Sequence, residues 1–153
     1  MLRQLLLGAA AGAAGTTALN AATYADMTYR ARPASSTPEA TVSEIAERAH
    51  LDVPGEGEDK ENRVSALAAL SGIFTGVAIG AAYGAARALG LRPPLWAGVL
   101  LTSAGALAGS NGPMTLLGIT DPRTWSAVDW ASDLVPHLAY GAATAATYAA
   151  GER

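Results

Sequence analysis

The chain has no cysteine, a single phenylalanine and, over 153 residues, only 15% charged side chains. Without cysteine there can be no disulfide scaffold, thiolate zinc site, iron–sulfur cluster or cysteine nucleophile. The ten Lys and Arg are scattered singly in a chain of net charge −3, so no basic patch can follow a nucleic-acid backbone, and nucleic acid is excluded as a partner. Charge this sparse does not suit an ordinary soluble domain. Enzyme signatures are missing as well. No glycine loop follows a strand to cradle phosphate, no nucleophile elbow accompanies a Ser, His and Asp set, and no HExxH occurs, so an enzyme is not supported and no cofactor is implied.

Half of the chain is hydrophobic, with 17 glycines, and the mean hydropathy is +0.22. The apolar surface is therefore spread over small side chains. Four stretches carry no Asp, Glu, Lys or Arg: Gln4 to Ala25, Val64 to Ala86, Pro93 to Thr120 and Leu134 to Gly151. A hydrocarbon layer about 30 Å thick needs roughly 20 helical residues at about 1.5 Å each, and each stretch comes close. The expected fold is all-α: a four-span transmembrane bundle forming a single domain over residues 1–153, with spans at about 4–25, 64–86, 95–109 and 134–151. The first stretch has a rival reading, since Met1-Leu2-Arg3 before an apolar run also suits a secretory signal. No small-x-small cleavage site follows Ala18.

Residues 26–63 form the polar loop and hold most of the charge. Ser36-Thr37-Pro38-Glu39 reads as a helix start, and Val42, Ile45, Ala46 and Ala49 recur at helical spacing. A short amphipathic helix of about residues 38–51 is expected, resting on the end of the bundle or in the headgroup zone. Pro54-Gly55-Glu56-Gly57 stops it, and the acidic run from Glu56 to Glu61 reads as a solvated loop. In the third stretch Ser110-Asn111-Gly112-Pro113 is a breaker, so the helix should end near Gly109 and leave Gly112 to Thr120 irregular. Arg123 to Ser132 reads as an interfacial helix, with Trp125 and Trp130 at headgroup level and Trp96, Tyr24, Tyr29 and Tyr148 in the same belt. Counting Lys and Arg gives six for a cytoplasmic long loop against four for the reverse, a lean towards the first.

The sharpest motif is Gly72, Gly76, Gly80 and Gly84, at strict four-residue spacing. Residues four apart advance about 40° around a helix, so these positions form one slanting groove open to another backbone. In lipid, association rests on close contact, which small residues permit. Gly8 with Gly12, Gly105 with Gly109, and Ala142, Ala146 and Ala150 repeat the pattern, and the groove can serve packing within the chain or between copies.

A second constellation is Asp129, Asp133 and His137, with Tyr140 and Gly141 beyond. On an unbroken helix they share a face and could form a polar path, passing protons or, with Asp121, offering ligands to a divalent metal. Pro136 opposes this, because a helix starting there turns the aspartates into caps. Arg87 and Arg92 should snorkel to headgroups, and Asn20 should bond across helices.

The phrases Pro33-Ala34-Ser35-Ser36-Thr37-Pro38-Glu39, Gly109-Ser110-Asn111-Gly112-Pro113-Met114, Asp121-Pro122-Arg123-Thr124-Trp125 and Asp133-Leu134-Val135-Pro136-His137 resemble a family of small uncharacterised multi-pass membrane proteins of actinobacteria. The chain is also distantly similar to the YagU-like inner-membrane proteins. That resemblance implies a cytoplasmic-membrane location and transfers no site residue. The expected role is structural, assembly or partner binding through glycine-lined packing, with membrane lipids, a second copy or another membrane protein as partner. The alternative is a small transporter or channel component in which the segment Ser110 to Thr120 and the row Asp129, Asp133 and His137 line a polar path.

Overall fold

In a computed structural model that describes residues 1–153, the chain forms five α-helices and one 3₁₀ turn, without strands. The helices are α1 (Leu2–Arg30), α2 (Thr37–Arg48), α3 (Gly57–Ala88), α4 (Leu95–Leu116) and α5 (Ala127–Gly151), and the 3₁₀ turn is Pro122–Thr124. α1 packs on α3 and α5, while α4 packs on α5 and α3, giving a four-membered ring of helices. Neighbours run antiparallel: Gly8 near the start of α1 meets Gly84 near the end of α3, and Gly98 near the start of α4 meets Tyr83. α2 lies outside the ring against α3 and α4.

The ends of the elements follow local chemistry. α1 closes on Ala31 in the left-handed region (φ 49°), whose N–H returns to the Met27 carbonyl, and Pro33 bars continuation. Ser36 makes no side-chain cap on α2; the Ser35 hydroxyl accepts from the Thr37 N–H instead, at 3.2 Å. Glu58 and Asp59 in the first turn of α3 and Arg87 in its last suit the helix dipole. Gly90, at φ 99°, turns the chain towards Pro93 and Pro94, where α4 begins.

Several expectations are corrected. Two helices, α1 and α3, are long and apolar enough to cross a membrane, not four. α4 carries Thr102, Ser103, Ser110 and Asn111, and the uncharged part of α5 carries Pro136, His137, Tyr140 and Tyr148, which lower their hydropathy. α4 does not stop at Gly109 but continues through Pro113 to Leu116. Its last turns are tethered sideways: Ser110 bonds to His137 and Asn111 to Asp133 on α5, which offsets the one backbone bond that proline removes. There is no separate helix over Arg123 to Ser132, because Ser126 caps α5 itself, and Pro136 does not interrupt it. α2 ends at Arg48 rather than 51, with His50 in the left-handed region.

The interior is filled unusually for so apolar a chain. The largest fully buried side chains are Tyr140, Tyr148, Thr102 and Thr144. Phe74 is 75% exposed, and Leu6, Leu70, Leu100 and Trp96 also face outward. Tyr148 is therefore not part of an interfacial belt: it is 0% exposed and meets the Tyr83 ring edge-on at 5.2 Å between centroids. Asn20 lies on the exposed face of α1, near its charged end, and makes no cross-helix bond.

Candidate functional site

The glycine groove is occupied from within the chain. A Cβ on Gly80 would overlap the Gly8 carbonyl oxygen and lie 2.5 Å from the Gly12 Cα; one on Gly84 would overlap the Gln4 carbonyl. Reciprocally, a Cβ on Gly8 or Gly12 would overlap the carbonyl of Gly80 or Gly76. Backbone thus meets backbone, with Cα–H groups facing carbonyls, as small residues allow. Gly76 also accommodates the Thr16 hydroxyl. Gly72 takes no part and faces open space. On the opposite seam Gly141 seats Ser103 and the Val99 carbonyl, whereas Ala142, Ala146 and Ala150 are on or near the outer surface of α5 rather than in its buried stripe.

The acidic constellation divides in two. Asp129 is the third residue of a capping box: its carboxylate accepts from the Ser126 N–H (2.9 Å) and hydroxyl (2.7 Å). Asp121 is tied to Arg123 across the 3₁₀ turn, at 2.9 Å. Asp133 and His137 instead face α4. The Asn111 amide donates to Asp133 at 2.8 Å; His137 Nδ1 lies 2.7 Å from the Asp133 backbone oxygen and 3.5 Å from its carboxylate; and Nε2 is 3.1 Å from the Ser110 hydroxyl. Because Nδ1 sees only oxygen acceptors, it carries a proton. The neutral ring then accepts from Ser110. When Nε2 is also protonated, Ser110 can turn its own proton to the Ala106 carbonyl, 3.0 Å away. Both charge states of the imidazole therefore find partners. No group of three or more His, Cys, Asp or Glu residues is placed to hold a metal ion.

Thr144 and Tyr148 join this interior without having been singled out as site residues from the sequence, whereas Ser110 and Asn111 open the segment expected to line a polar path. The signal was present: along α5, His137, Tyr140, Thr144 and Tyr148 recur every three or four residues. Tyr140 donates to the Gly76 carbonyl at 2.6 Å, linking α5 diagonally to α3. At the far end the Arg87 guanidinium lies over the Tyr148 ring at 5.5 Å and pairs with Glu152. At the near end Arg30 binds Asp26 and reaches Ser132, closing α1 onto α5.

The Ser126 hydroxyl and backbone N–H hold the Asp129 carboxyl below the ordinary range, with Arg30 adding a smaller attraction. A lowered folded value means that stabilisation is complete above the unfolded value, about 3.9, and fades as pH falls through the lowered one. The first turn of α5 should therefore stay protected from amide exchange at pH 4 and open below it. Asp129→Asn should abolish that pH dependence; opening with a midpoint at or above 3.9 would contradict the assignment.

No protein-family model, curated protein or solved structure matches this chain.

Proposed function

We propose that this is an integral protein of the cytoplasmic membrane with a structural role, in which α1 and α3 are the spanning elements and glycine contacts lock them together. The observation that carries the reading is the inverted distribution of side chains. Small, hydroxyl-bearing and tyrosine residues fill the interior, and Phe, Leu, Ile and Trp face outward. In water this would expose apolar surface with no compensating core, whereas in lipid, where burying leucine gains little, it is the expected arrangement. α4 and α5 do not qualify alone. They run alongside α1 and α3, and so lie at the same depth.

Because α1 fills the groove at Gly76, Gly80 and Gly84, the stripe serves packing within the chain, and lipid is the partner of the outer face. A conducting role is favoured by a separate observation, the Asp133 and His137 pair turned inward. In fractionation the protein should resist alkaline carbonate, enter detergent micelles and float with lipid vesicles. A helical, monodisperse protein in buffer without detergent would overturn the membrane reading.

A further inference from the structure

Along α5 a row of polar side chains runs from the partly buried Asp133 through the buried His137, Tyr140, Thr144 and Tyr148 to Glu152, which is exposed just past the helix end. Every member can accept and release a proton, and the row opens and closes on a carboxylate. The nineteen steps from Asp133 to Glu152, at about 1.5 Å each, span about 28 Å, close to a hydrocarbon thickness of about 30 Å.

A second, independent observation points to such waters. The Thr144 and Tyr148 hydroxyls, both 0% exposed, and that of Ser103, 3% exposed, have no hydrogen-bond partner. Buried hydroxyls seldom remain unpaired, and a water settles where it finds two or more polar groups. Ser103 faces Gly141 across the α4–α5 seam, Thr144 faces Gly15 of α1, and Tyr148 packs with Tyr83 of α3 and Ala11 of α1, so the three orphaned hydroxyls all lie inside the ring of helices.

We propose that this row conducts protons through the bundle. A proton entering at Glu152 is handed along the Tyr148, Thr144 and Tyr140 hydroxyls and their waters, each oxygen accepting one proton and releasing one. His137 takes it at Nε2 from Ser110 or an adjacent water. The imidazolium then turns about its Cβ–Cγ bond, Nε2 gives the proton it took to a water that passes it to Asp133 and on to solution, and the ring turns back with Nδ1 still protonated. No side chain changes overall, and a pH gradient or membrane potential drives the flow in either direction. Around His137, α4 contributes Ser110 and Asn111 but no titratable group, α5 contributes Asp133, and α1 contributes the Asp26 and Arg30 pair, which reaches Ser132.

The relay rests on the membrane reading, and reconstitution separates the two. Vesicles enclosing a pH-sensitive dye, given a potassium gradient and valinomycin, should acidify faster with protein than without. His137→Gln, which keeps polarity, and Asp133→Asn should each reduce that flux at least about tenfold. Tyr29→Phe, exposed on α1 and away from the row, should preserve it. Protein that fails to float with vesicles overturns both readings. Protein that floats yet conducts no better than bare lipid, passes sodium as readily as protons, or is indifferent to His137→Gln overturns the relay alone.

Discussion

Gly80→Leu is expected to separate α1 from α3 and to lower stability by at least about 3 kcal/mol, the upper part of the range for overpacking. The reason is what the added atoms would strike. A Cβ at 80 runs into the backbone of Gly8 and Gly12, and backbone cannot swing aside as a long side chain can. Even Gly80→Ala should cost about 1–3 kcal/mol. Gly72→Leu is the internal control, since it lies on the same helix eight residues earlier with nothing within 4 Å. Its stability should change by less than about 0.5 kcal/mol. Unfolding in mixed micelles, followed by helicity and by oligomeric state, reads both. Equal responses at 72 and 80 would mean that the groove does not hold the bundle.

The second large effect is expected at Tyr140, which is 1% exposed and reaches from α5 across the ring to α3. Tyr140→Ala should remove about 3–5 kcal/mol, as aromatic truncations in packed interiors do. Tyr140→Phe keeps the ring and loses only the bond to the Gly76 carbonyl, worth about 0.6 kcal/mol by the average for interhelical bonds in membranes. The pair of variants separates packing from hydrogen bonding. An alanine effect below about 1 kcal/mol would show that the ring is not clamped between α1 and α3. A phenylalanine effect as large as the alanine one would show that the hydroxyl, and not the ring, carries the contact.

The helical character and the small-residue contacts were legible because both depend on local spacing. Gly8, Gly12, Gly76, Gly80 and Gly84 declare a close approach through periodicity alone. Which glycines are used was not legible: Gly72 fits the period but lies beyond the reach of α1, a matter of where two helices diverge. The end of α4 was misread for a related reason. Ser110-Asn111-Gly112-Pro113 is a breaker by propensity, yet its Ser and Asn find partners on α5 that no local rule can supply. Of the acidic constellation, Asp133 and His137 meet, whereas Asp129 is consumed by Ser126, because an unbroken α5 moved the cap upstream of Pro136. The number of membrane-length helices was overcounted since absence of charge is a weaker condition than high hydropathy, and α4 and the part of α5 from Leu134 onward meet only the first.

The scarcity of large aliphatic side chains inside the bundle has a thermal corollary. The curvature of a stability curve comes from apolar surface that gains or loses contact with water on unfolding. In the membrane setting proposed above, helices that part within lipid wet little such surface, and this interior holds threonine, serine, glycine and tyrosine. The heat-capacity increment of helix separation should be close to zero, and stability should follow a nearly straight line in temperature. Chilling, which loosens water-soluble domains through a weakening hydrophobic effect, should leave this one tight.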